Sequence, residues 1–166
     1  IVFGDWSSDV CSSDLGMEIL GKRFIVLCPH LKDAEYTAAQ WYIYPDTLLK
    51  LLLLAVEEYH ADASRIYVTG YSTGGTGTWG LIARYPGVFA AAVPMCGYTY
   101  SARGIPEVVP DYLVCGKTPL WIFHNLWDQT VPAMHAKKVV DALEAEFSDP
   151  FLKLRQIGRA SCRERV

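Results

Sequence analysis

The sequence carries almost no surplus of charge. Its 15 Lys and Arg stand against 18 Asp and Glu, a formal net charge of -3, which implies no basic face for nucleic acid and no acidic tail. It has no long hydrophobic run either. The richest apolar stretch, residues 48–56, is interrupted by Lys50 and falls far short of the roughly 20 residues a membrane span requires. No early segment shows the basic, apolar, small-residue order of a secretory signal. The expected compartment is the cytoplasm or, with a signal lost by truncation, the outside of the cell. Cysteines form no framework. Of five, Cys11 and Cys162 lie near the ends, and Cys28, Cys96 and Cys115 are odd in number with no C-x-x-C spacing, which argues against disulfides and a zinc site. Cys28 and Cys96 sit in apolar runs, where a buried, inert thiol is expected.

What is present is a single domain's worth of chain. It has 166 residues, of which 51% are apolar and 20% charged, as in a globular core-forming protein. The two ends stand apart. Residues 1–16 contain SSDVCSSDL, and residues 156–166 read QIGRASCRERV. Neither has helical or strand periodicity. Both resemble translated sequencing-adapter read-through of the kind found at the ends of metagenomic fragments, so residues 1–16 and 156–166 are read as non-native or disordered tails. The domain is then expected over residues 17–155.

Inside those limits strands and helices alternate. Residues 24–29, FIVLCP, are continuously apolar, as a strand buried on both faces should be. Pro45 and Asp46 give helix-start signals, and residues 47–60 follow with good helix formers. Residues 65–70, RIYVTG, read as a strand and 72–85 as a helix ending before Pro86-Gly87. Residues 90–96 and 119–124 read as further strands, with 98–117 mostly loop between them. Residues 133–147 read as a helix with Val139, Val140, Leu143 and Phe147 on one face. This order predicts the α/β class, a mostly parallel sheet flanked by helices.

Directly after the strand at 65–70 comes Gly70-Tyr71-Ser72-Thr73-Gly74, a G-x-S-x-G at a strand-to-helix turn. A nucleophilic serine needs such a turn, so tight that its Oγ stands clear of the backbone. Glycines two positions away keep side chains off the neighbouring helix and strand. The helix start then offers the Thr73 N–H, and a partial positive charge, to an oxyanion. About 0.05 chance matches are expected at average Gly and Ser frequencies. Gly75, Gly77 and Gly80 also spell the dinucleotide fingerprint G-x-G-x-x-G, but the Ser72 turn intervenes before them. No Asp or Glu occurs from Ala63 through Pro106 to hold a ribose, and no Lys follows for a P-loop. Close helix packing is the better reading of these glycines.

After the strand at 119–124 comes His124-Asn125-Leu126-Trp127-Asp128-Gln129-Thr130-Val131-Pro132. An Asp on such a loop can hold an imidazole through its Nδ1–H; alone it would be an ordinary turn residue. It lies after the serine in the order Ser…Asp…His.

Together RIYVTGYSTGGTGTWGLIARYPGVFAAAVPMCG and PLWIFHNLWDQTVP resemble the esterase branch of the α/β-hydrolase superfamily, near feruloyl-esterase-like, polyhydroxybutyrate-depolymerase-like and prolyl-oligopeptidase-like hydrolases. The resemblance covers most of residues 23–147. It implies Ser72 as nucleophile, Thr73 N–H as an oxyanion donor, Asp128 as the triad acid, and Gly70, Tyr71 and Gly74 as the elbow. The family usually has Met at position 73 and Gly at position 125. It implies an acyl-enzyme reaction on a small-molecule or polysaccharide-linked ester, with no metal, no organic cofactor, no nucleic acid and no membrane. The family's catalytic His lies beyond the last helix, but no His occurs after His135, and its His-Gly oxyanion loop before residue 24 is missing. The chain therefore reads as an incomplete, by itself inactive α/β-hydrolase fragment. His60 falls at the wrong sheet edge, and His30, His124 and His135 at the right one, with His124 expected to buttress the Asp128 loop. A prolyl-oligopeptidase-like serine peptidase, and a non-catalytic carbohydrate-binding module using Trp41, Tyr42, Trp79, Trp121 and Trp127, are the alternatives. Oligomeric state has no sequence signal.

Overall fold

The computed structural model describes residues 24–29, 44–99, 115, 117–146 and the backbone of 153–157. Four parallel strands form one sheet in the order β1 (Tyr67–Tyr71), β2 (Ala91–Met95), β3 (Trp121–Asn125) and β4 (Lys153–Ile157). Parallel neighbours cannot be joined by a tight turn, so each crossover is long. Helix α2 (Thr73–Arg84) joins β1 to β2, and α3 (Met134–Glu146) lies between β3 and β4. Helix α1 (Pro45–Glu58) precedes β1 and begins with proline in its first turn, where a missing N–H costs nothing.

The three middle elements pack as their sequences require. Val68, Ala92 and Ile122 alternate inward with buried Trp79, Leu81, Ile82, Leu48 and Leu52, and α3 closes the core with Val139, Val140 and Leu143. Phe147 lies outside the described residues. Burying a side chain of this size stabilises by about 1.5–3 kcal/mol, so these residues hold the sheet and helices together. Tyr85 OH donates to Asp46 Oδ1, and Arg84 lies 3.8 Å from the same carboxylate, tying the end of α2 to the first turn of α1.

One close approach fixes α2 on the sheet. A Cβ at Gly75 would lie 2.3 Å from Met95 O, and one at Gly97 would lie 2.3 Å from Gly75 C. Only glycine at both positions permits that spacing. Close packing is thus seen at Gly75, the first glycine of the rejected nucleotide pattern.

The strands at 65–70, 90–96 and 119–124 are parallel neighbours in the expected order, shifted by one or two residues. One expectation needs correction. Residues 24–29 form no strand; Phe24 stands edge-on to Tyr67 at 5.9 Å, and a cavity of about 630 Å³ is lined by Phe24, Ile25 and Leu27, the second half of α1 and the start of β1. The resemblance places a strand between 24–29 and β1, with an empty slot, direct pairing or loan of residues 1–3 as the outcomes. Among the described residues β1 has no strand partner on its outer side, and residues 1–3 lie outside them. An apolar run supplies a strand's faces, but the ladder needs a partner. Cys28 is accordingly half-buried, while Cys96 and Cys115 are buried; burial raises the Cys115 thiol pKa well above its ordinary value, which keeps it protonated and inert. β4 includes Gln156 and Ile157, the first two residues of the segment 156–166 expected to be a tail. Among the described residues, no helix is long and apolar enough to cross a membrane.

Candidate active site

Because β1, β2 and β3 run parallel, the segments leaving their C-terminal ends share one edge of the sheet. That edge receives Ser72 from β1, Cys96-Gly97-Tyr98 from β2 and the loop around Asp128 from β3.

Ser72 sits at φ 55° and ψ -117°, a backbone conformation that costs a non-glycine residue about 1–3 kcal/mol and marks functional turns. The positive φ expected of Ser72 is therefore present. The strain is held by neighbours on both sides. Ser72 N–H donates to Met95 O at 2.9 Å, and Ser72 O accepts from Thr76 N at 3.0 Å. Its Oγ makes no hydrogen bond among the described residues and caps no helix N–H. Thr73 is the first residue of α2, so its N–H has no partner within the helix and stands at the positive end of the helix dipole. The Thr73 hydroxyl is buried and unpartnered among the described residues. Gly74 is buried in the first turn of α2, and Gly70 is buried in β1 beside the half-buried Tyr71.

The Asp128 loop is tightly braced. Asp128 Oδ1 accepts from Thr130 N and from Val131 N, both at 2.9 Å. Asp128 N–H donates to Asn125 O at 3.1 Å, and Asn125 Oδ1 accepts from Trp127 N at 3.1 Å. Beneath the loop, buried His124 donates from Nε2 to Val131 O at 2.8 Å, the buttress expected of it. One carboxylate oxygen thus builds the turn, and Oδ2 has no partner among the described residues. The turn uses one oxygen, and the acid role that the resemblance implies would use the other.

The histidines do not reach Ser72 Oγ by a hydrogen bond among the described residues. His60 follows α1 at the opposite end of the sheet, with φ 50°. His135, in the first turn of α3, lies edge-on to Tyr98 with ring centroids 5.6 Å apart. Its Nδ1 is buried without a partner among the described residues. Burial, then the charges of Lys138 and His124, hold its pKa below the ordinary value of 6.5. His30 lies outside the described residues.

Two features of this edge escape a reading of motifs. Gly97 gave only a weak signal, a glycine just past a strand. Tyr98 gave none: its N–H donates to Thr76 Oγ1 at 2.9 Å, and its hydroxyl donates to Thr130 O. Of the aromatics considered for a sugar site, Trp79 is core, Trp121 is 46% exposed against Phe123, and Trp127 is 75% exposed on the Asp128 loop; Trp41 and Tyr42 lie outside the described residues.

Comparison with known proteins adds to this geometry. No protein-family model matches the chain. It is 48% identical over 86 residues to acetylxylan esterase A of Emericella nidulans, covering 45% of this chain and 27% of that protein. It is 35% identical over 71 residues to a poly(3-hydroxyoctanoate) depolymerase of Pseudomonas fluorescens, covering 43% of this chain and 26% of that protein. The chain therefore spans about a quarter of the length of these curated relatives. Among solved structures, a thermostable esterase superposes with a TM-score of 0.59 at 32% identity, over 69% of this chain and 28% of that one. An acetyl xylan esterase from Aspergillus awamori superposes with a TM-score of 0.64 over 90% of this chain and 69% of that one; at 18% identity it speaks for the fold alone.

Proposed function

This chain belongs to the α/β-hydrolase superfamily, and we propose that it carries the nucleophile and the acid of a serine carboxylic-ester hydrolase. The observation that carries the reading is Ser72 at φ 55° at the start of α2, on the sheet edge that also holds the spare oxygen of Asp128. In the reaction Ser72 Oγ attacks an ester carbonyl while an imidazole takes its proton. The carbonyl oxygen becomes an oxyanion and draws on Thr73 N–H and the α2 dipole. Collapse expels the alcohol, which takes the proton back from the imidazole. Water then releases the acid from Ser72 by the same steps in reverse order. Asp128 Oδ2 orients the imidazole through its Nδ1–H. That histidine is supplied by neither His60 nor His124, whose places are fixed elsewhere.

The names of the relatives support esters borne on a polymer, a substituted xylan or a polyester, as the substrate class. Trp127 fits this: an indole left 75% exposed beside the acid offers a flat face to a sugar ring or acyl chain. The same exposure is what a carbohydrate-binding module on a hydrolase scaffold would show. The two readings part on chemistry. In the full-length protein a fluorophosphonate probe labels Ser72, and Ser72→Ala abolishes the labelling; a binding module does not react. Matched ester and amide substrates separate the esterase from the prolyl-oligopeptidase-like alternative. The 166-residue chain alone is expected to hydrolyse an activated aryl ester no faster than its Ser72→Ala variant, since a serine without a base is a weak nucleophile. A large Ser72-dependent rate would show that His30 or His135 completes the site.

A further inference from the structure

On the reading of Asp128 as the acid, we propose that Tyr98 is its positioning residue, acting through the single peptide unit that joins Thr130 to Val131. Tyr98 OH donates to the carbonyl oxygen of Thr130. The N–H of that same peptide unit belongs to Val131 and donates to Asp128 Oδ1 at 2.9 Å. A hydrogen bond accepted at the carbonyl end of an amide polarises it and strengthens donation from the other end. The phenol therefore both fixes the peptide plane and sharpens the donor aimed at the carboxylate.

Three further observations make Tyr98 suited to this task. Its own N–H donates to Thr76 Oγ1 at 2.9 Å, and Thr76 N–H donates to Ser72 O, so the residue is anchored one turn into the helix that begins at the nucleophile. Its backbone follows Gly97, which is locked against Gly75 and Thr76. Its ring is held edge-on by His135 at 5.6 Å, which limits rotation of the phenol away from Thr130. One side chain from the end of β2 thus spans the gap between the elbow from β1 and the acid loop from β3. The opposite face of the loop is held separately by His124 at Val131 O. The next peptide unit along is therefore also held, and the Thr130 carbonyl is the point at which Tyr98 acts on the turn.

A control is built into the turn. Asp128 Oδ1 also accepts from Thr130 N, but that N–H belongs to the peptide of Gln129 and Thr130, whose carbonyl Tyr98 does not touch. In Tyr98→Phe the amide proton of Val131 is expected to shift upfield and exchange about fivefold faster, the equivalent of a hydrogen bond of about 1 kcal/mol. The Thr130 amide moves less. Replacing Tyr98 by 3-fluorotyrosine, at a mildly acidic pH that keeps the phenol protonated, makes it a stronger donor, and the Val131 proton is expected to move downfield. Both are read by proton–nitrogen correlation spectra of the intact 166-residue chain and need no catalytic activity. Equal movement of both amides would mean general loosening, and no movement would mean no coupling; either overturns the proposal. In the full-length protein, Tyr98→Phe is expected to lower kcat with KM little changed, because the ester itself does not touch the phenol. Failure of Ser72 to react with a fluorophosphonate, with the amide shifts as expected, would sink the hydrolase reading and leave the Tyr98 relay standing.

Discussion

Ser72 is held where any side chain costs energy, so the site trades stability for an exposed hydroxyl. Ser72→Ala keeps the Cβ and keeps the strain, whereas Ser72→Gly removes both. The glycine variant is expected to be more stable than the alanine variant by about 1 kcal/mol, the strain relieved less the entropy glycine loses on folding. Denaturant midpoints of the two proteins read this directly. The reverse order would mean that φ 55° is not strained here. His135 sets a second expectation. Burial, Lys138 and His124 depress its folded pKa below 6.5, so the unfolded chain binds its proton more tightly. The stability this residue contributes is complete above about pH 6.5 and is lost as the pH falls through its lower folded value. Urea midpoints at about pH 7.5 and about pH 5.5 should differ more for the unaltered chain than for His135→Gln, the measured gap reporting that residue's share. At this scale Ser72 and Asp128 could be singled out because each stands in a fixed string of neighbours with a chemical reason for its spacing. Tyr98 was not, because its partners Thr76, Thr130 and His135 lie 22, 32 and 37 positions away and no local pattern links them.

Elements obey a different logic, in which a run of residues proposes and a neighbour decides. Helix α1 shows this on its two faces. Leu48 and Leu52 are buried, while Leu53 and Leu54 are 53% and 62% exposed. Leu52→Ala is expected to cost about 2–5 kcal/mol, but Leu54→Ala less than about 0.5 kcal/mol, in the same denaturant measurement. Sequence alone ranked these leucines equally, since a helix rich in leucine all round gives no face. Residues 24–29 failed as a strand for a related reason: they have the right apolarity and no described partner. β4 was missed in the opposite way. Its sequence, Lys-Leu-Arg-Gln-Ile, is too polar to announce a strand, and its last two residues fall in the segment set aside as a tail. Yet β3 offers an unpaired edge, and pairing there satisfies five residues of backbone in parallel register.

For the molecule as a whole, what the sequence conveyed was the alternation of strands and helices, because parallel sheets need continuous apolar strands and long crossovers. It placed Ser72 and Asp128 on one edge and a vacant strand position beside β1, but not the contacts by which the three strand ends meet. The contact between Gly75 and Gly97 also bears on time. It closes a loop of only 22 residues, just past the end of a β1–α2–β2 unit that runs from Tyr67 to Met95. Short loops close at little entropic cost, and contacts near in sequence form early. The nucleophile's turn lies wholly inside this unit, whereas Asp128 reaches it only once β3 has crossed over and docked. Pulse-labelled hydrogen exchange during refolding should protect the amides of Val68 and Ala92 before those of Val131 and Thr130. Gly75→Ala should slow that first phase rather than hasten unfolding. The strained serine turn is then built first, so on the proposed reading a chain still emerging from synthesis would hold a finished elbow with no means of using it.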